Sequence, residues 1–146
     1  MTMRARDLRP WKIRLALRMW WLVLYVNSAL RWYPLARVVD QLRRPPRRLR
    51  RPRLSPYRLS RINDRVLHVG RFRPRCLIRS LVHLRCLRDQ GDITELVIGL
   101  PQGTASTDAH AWVELEGRVV GPWPGKAGRD ELVRYPRQDS QQIGSP

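Results

Sequence analysis

Fourteen residues near the middle of the chain, RRPPRRLRRPRLSP at 43–56, contain seven arginines and four prolines. Proline lacks the backbone donor that a helix interior or a central strand needs, and the arginines repel one another when crowded. This stretch cannot be part of a packed core and is predicted to be an exposed, extended linker. The core must come from the sequence on either side of it. At 146 residues with 42% hydrophobic content, the chain supports one globular core. Charge marks the same division. Residues 1–75 carry 21 Arg and Lys against 3 acids, a net of +18, whereas residues 76–146 carry 8 against 9, a net of −1. We therefore read 1–60 as a basic helical region ending in the Arg/Pro linker, 61–136 as the core, and 137–146 as a disordered tail.

Pro10 opens a helical pattern over residues 9–32 that ends before Pro34. Its most apolar part, Met19–Leu30, is twelve residues between Arg18 and Arg31. A spanning helix needs about 20, and the stretch lies too far in, behind too many arginines, for a signal peptide. It is predicted to be buried, or to lie against an interface, without crossing a membrane. A shorter helix is predicted over Leu35–Leu42. In the second half, Arg65–Val69 reads as a short strand. Pro74 then precedes a helix with Leu77, Leu81 and Leu84 in phase and Gly91 as its stop. Leu96–Leu100 reads as a buried strand, and residues 101–108 as a loop. Ala109–Leu115 and Arg118–Gly121 form a hairpin about Glu116–Gly117, and residues 122–128 form a further loop. The order gives an α+β fold, with a helix packed on an antiparallel sheet behind an N-terminal helical region.

The chain has two cysteines, Cys76 and Cys86. Ten residues along one helix separate them by roughly 15 Å, beyond the reach of a disulfide. Free thiols fit a reducing, cytoplasmic setting. Cys76 starts its helix, where unpaired N–H groups and the positive end of the dipole favour a negative charge on or beside the sulfur. A cysteine so placed can be a nucleophile, and an oxyanion can form against the same N–H groups. Cys86, in mid-helix, reads as a small buried hydrophobe. Three histidines are available as a base for Cys76. His83 stacks two turns further along the Cys76 helix, roughly 10 Å away. His68 lies in the short strand predicted before it. His110 opens a strand after a Gly/Ser/Thr loop, where a side chain can face a helix N-terminus. It shares its strand face with Trp112 and Glu114, while Ala109, Ala111, Val113 and Leu115 share the other. No metal-ligand spacing such as C-x-x-C is present, and neither a metal nor another cofactor is expected.

PRCLIRSLVHLRCLRDQGDITELVIGL, followed by AHAWVELEGRVV, closely resembles the transglutaminase-like leader peptidase of lasso-peptide biosynthesis in its stand-alone form. The resemblance covers residues 70–121 in detail. It includes the Cys-Leu-x-Arg-Ser helix start, the Leu-Val-Ile-Gly strand and Ala-His-Ala-Trp-Val-Glu before a Gly turn. It implies a papain-like core with Cys76 as nucleophile and His110 as base and acid. It also implies a ribosomally made precursor as substrate, cut between leader and core. Two further partners follow from it: a separate leader-recognition protein and an ATP-dependent macrolactam synthetase. The family places an Asp about a dozen residues after the His to orient the ring. Here that position is Pro122, which has no acceptor side chain. Asp130 stands further on as the candidate third residue, and Asp108, two before His110, is poorly placed. A rival reading is a nucleic-acid- or partner-binding protein with an inactive core, its basic half holding phosphates. No recognised nucleic-acid motif accompanies that charge. The Arg43–Arg53 cluster suits partner proteins or an anionic membrane surface equally well.

Overall fold

The structure, a computed structural model, describes residues 10–46, 53–68, 75–101, 109–121 and 129–135. Four helices come first: α1 (Pro10–Trp32), α2 (Leu35–Arg43), α3 (Pro56–Leu67) and α4 (Cys76–Arg88). Four strands follow: β1 (Thr94–Pro101), β2 (His110–Leu115), β3 (Arg118–Val120) and β4 (Arg129–Tyr135). The sheet is antiparallel in the order β3-β2-β1-β4. The expected α+β architecture is therefore the one observed, and α1, α2, α4, β1 and the β2–β3 hairpin fall where the sequence predicts. The hairpin turn has positive φ at Glu116 (52°) and Gly117 (75°), the pairing that a two-residue connection between right-twisted strands requires.

Two elements depart from the sequence reading. Of the strand expected at Arg65–Val69, residues 65–67 are instead the end of α3 and His68 is its C-cap, while Val69 lies outside the described residues. Ser55 starts that helix by accepting a hydrogen bond from Arg58 N, and Pro56 occupies its first turn. Leu59, Asn63 and Leu67 recur every four residues and are buried, a helical period that outweighs the local alternation of Arg65–Val69. Residues 53–55 are accordingly tied down, not free linker: Gln90 receives the Leu54 N–H (2.8 Å) and donates to its carbonyl (3.1 Å). Arg43, at the other end of the expected linker, is buried as the last residue of α2. Strand β4 was also unexpected. It pairs with the outer side of β1, with a bulge between Ile98 and Gly99. The tail beyond Pro136 and residues 47–52 of the linker lie outside the described residues.

Helix α4 is the centre of the molecule. Leu81, Val82, His83, Leu84, Cys86 and Leu87 are all buried, because α1, α2 and α3 cover one side of it and β1 and β2 the other. One apolar cluster joins Met19, Val26, Val39, Leu59, Leu81, Leu96 and Val113. Basic side chains of α4 secure its neighbours. Arg85 donates to the carbonyls of Leu42 and Arg44, and Arg88 to that of Arg43, satisfying the C-terminus of α2. Asp89, just past α4, is buried between Arg18 of α1 and Arg85. On the outer face of the sheet, Arg134 of β4 reaches Glu95, Glu114 and Glu131 from three positions on two strands and its own. Neither cysteine is in a disulfide. Among the described residues no helix is long and apolar enough to cross a membrane.

Leu81 has no solvent exposure, so Leu81→Ala should lower stability by about 3 kcal/mol through lost burial and the cavity it leaves. Leu17→Ala, on an exposed face, should change stability by less than about 0.5 kcal/mol. Urea denaturation of the two variants checks the contrast.

Candidate active site

Cys76 is the first residue of α4 and is part-exposed. The N-cap residue Arg75 gives no side-chain cap, and the first intrahelical bond runs from Arg79 N to Arg75 O. The N–H groups of residues 76–78 therefore have no intrahelical acceptor. Two contacts bring this helix end onto the start of β2. The Cys76 sulfur lies 3.8 Å from the carbonyl oxygen of Ala109, and Ser80 Oγ donates to Ala111 O at 2.8 Å. The residue after Ala109 is His110, so the α4–β2 contact carries the cysteine and the histidine to one place. Both line a cavity of about 300 Å³. Strand β3 pairs only with Val113–Leu115, which leaves His110–Trp112 without a β3 partner where the cavity opens.

The far wall of the cavity is α3, which the sequence reading missed, and with it Asn63 and Asp64. The signal was present in the Ser-Pro start and the Leu59/Asn63/Leu67 spacing. Asp64 pairs with Arg79 at 3.0 Å; burial holds its carboxyl above the ordinary value, against the pull of Arg79 and His68. His68 caps the end of α3, exposed, with Nδ1 2.7 Å from Asp64 O, and it is not part of the cavity lining. His83 sits two turns along α4 from Cys76, as its spacing predicts, yet it lines the same cavity from the buried end. A larger cavity, about 630 Å³ beside Arg53, Pro56, Asp92 and Glu116, is lined by neither a cysteine nor a histidine, so size does not select the site.

On the outer face of β2, Trp112 Nε1 donates to Glu114 (2.8 Å), and Glu114 in turn receives Arg134 (2.9 Å). This fixes the strand that carries His110. Asp130 is not in a loop: its backbone belongs to β4 and pairs with Leu100, while His110 pairs with Gly99. Strand β1 thus lies between the two backbones, which two strand spacings put roughly 10 Å apart. Asp108 and Pro122 lie outside the described residues. Cys86 is buried in the core, away from the cavity. Among the described residues, no group of three or more His, Cys, Asp and Glu is arranged to hold a metal.

Packing against α3 strongly alters His83, which is buried. Its ring hydrogen-bonds the backbone of Pro56, and since proline has no N–H, the ring must donate to the carbonyl. Nε2 has no partner among the described residues, so Nδ1 carries the proton and Nε2 a lone pair. Burial pushes the pKa down to about 4, and the imidazole is neutral near pH 7. The unfolded chain then binds the extra proton first. Stability is full above pH 6.5 and falls as pH drops from there towards 4, by about 3 kcal/mol for a shift of this size. His83→Phe should flatten that part of the stability–pH profile, as measured by urea denaturation between pH 4 and 7.5.

A family model for the transglutaminase-like superfamily matches residues 20–133, more than three quarters of the chain. Neither the curated proteins nor the solved structures gave a match. The match begins inside α1, covers α2, α3, α4 and the first three strands, and ends inside β4, so the N-terminal helices fall within it together with the cavity that unites Cys76 and His110. The chain belongs to the transglutaminase-like superfamily, whose members are commonly cysteine peptidases or acyl transferases.

Proposed function

We propose that this chain is a cysteine peptidase that removes the leader from a ribosomally made lasso-peptide precursor. The observation that carries the reading is the meeting of Cys76, at an uncapped helix N-terminus, with His110 on one cavity. The specific substrate follows from the resemblance of residues 70–121 to that peptidase. His110 takes the thiol proton as the Cys76 sulfur attacks the carbonyl of the last leader residue. The oxyanion that forms faces the unpaired N–H groups of residues 76–78. The imidazolium then protonates the departing amine of the core peptide, the C–N bond breaks, and the leader remains as a thioester on Cys76. Water, losing a proton to His110, attacks that thioester and releases the leader as a carboxylic acid with the thiol restored.

A separate leader-recognition protein would deliver the precursor, and an ATP-dependent synthetase would close the macrolactam on the new amine. Asp130 is the proposed third residue, in the role that Pro122 cannot fill. The interposed β1 makes its contribution small, with a backbone carbonyl the alternative acceptor for the ring.

Incubating the precursor and recognition protein with each variant, and weighing the products by mass spectrometry, tests the assignment. Cys76→Ala and His110→Ala should reduce leader release by at least about a thousandfold, and Cys86→Ala should retain most of it. Normal cleavage by Cys76→Ala would remove the sulfur from the mechanism. In single-turnover assays Asp130→Asn should slow cleavage by less than about tenfold, and Pro122→Asp, which restores an acid at the position where the family carries one, should quicken it. Collapse of the Asp130→Asn rate with an intact fold would instead make Asp130 essential.

A further inference from the structure

Helix α1 is apolar on two faces, and only one of them is covered. Met19, Leu22, Val23, Val26 and Ala29 pack inward. Ile13, Leu17, Trp21 and Leu24 recur every three or four residues on the opposite side and are 45%, 65%, 59% and 65% exposed. Trp32 continues the exposed apolar surface at the helix end at 82%, beside Tyr33, over which Arg37 lies. A run of large exposed side chains on one stripe marks a contact surface.

From this stripe and the charge around it, we infer that α1 docks the protein in the plane of an anionic membrane surface. The stripe spans about 17 Å of helix, too short to cross a bilayer. The inner face of α1 is held against α4 and α3 and its Arg18 is paired with Asp89, so the helix can only lie flat. Its exposed charged side chains, Lys12, Arg14 and Arg31, are all basic, and α1 contains no acid. Leucine and tryptophan on one side with Lys and Arg around them is the composition of an interfacial helix. The half of the chain that holds the stripe has a net charge of +18, which draws it to anionic headgroups. The same charge opposes a second copy of this chain as occupant, since two such faces repel.

The test uses the full chain with sedimenting vesicles of phosphatidylcholine, alone or with about 30 mol% phosphatidylglycerol, across a salt series. The protein should sediment with the anionic vesicles, much less with the neutral ones, and progressively less as salt rises. The double variant L17E/L24E, at exposed positions that leave the core intact, should lose at least about tenfold in partitioning. Brominated acyl chains should quench the tryptophan fluorescence of the unaltered protein. Absence of sedimentation with anionic vesicles overturns the inference. So does equal partitioning of L17E/L24E, which would mean that charge alone binds, or a lack of quenching. A wild-type dimer that L17E/L24E converts to monomer, without vesicle binding, would assign the stripe to a second copy instead.

Discussion

The need to cover α4 on every side organises this molecule. A helix with Leu81, Val82, His83, Leu84, Cys86 and Leu87 all buried is left open to water only at its first turns and along Arg85 and Arg88. Three helices and a sheet are required to enclose it, and the α4–β2 contact is one of the closest of these packings. The placement of Cys76 follows from that enclosure. Cys76 stays part-exposed because it is the first residue of α4, where the cover ends, and Ser80 bonded to Ala111 fixes which part of β2 it meets. Had β2 shifted by one residue, the alternation of its side chains would reverse and Val113 would turn out of the core.

The positive charge of the chain has two different uses. Part is structural: Arg85 and Arg88 close the end of α2, Arg18 and Arg85 enclose Asp89, and Arg134 gathers three glutamates on the outer sheet face. Helix-end carbonyls and partly buried carboxylates are where a guanidinium, with its five donors, is most effective. A second group, Lys12, Arg14, Arg31 and Arg37, is exposed beside an uncovered apolar stripe. One composition thus supports the fold on one side of α1 and an interaction surface on the other.

Most of the fold could be read from local signals. Pro10, Gly91 and the Glu116–Gly117 turn each act through backbone geometry, so their effect does not depend on distant residues. Cys76 and His110 were legible because a helix start and a strand start carry recognisable neighbours. Helix α3 was not, because its Arg-rich, Pro-preceded sequence resembles the linker before it, and Asn63 and Asp64 were lost from the site with it. Strand β4 was missed because its Leu132 and Val133 are exposed and its pairing is with β1, far away in sequence. Long-range pairing of an irregular edge strand leaves little local periodicity. The burial of His83 depends on three elements packing together, and no spacing along α4 alone would reveal it.

The central claim is that one sulfur carries the leader during cleavage. It is tested most directly by mixing enzyme, recognition protein and precursor, quenching in acid within the first turnover, and locating any covalent adduct by fragmentation of the enzyme. An adduct is expected on Cys76 alone, its mass that of the leader acid less one water, absent from Cys76→Ala and decaying as free leader appears. Cleavage that proceeds with no adduct on Cys76 at any time, or with the adduct on Cys86, would contradict it.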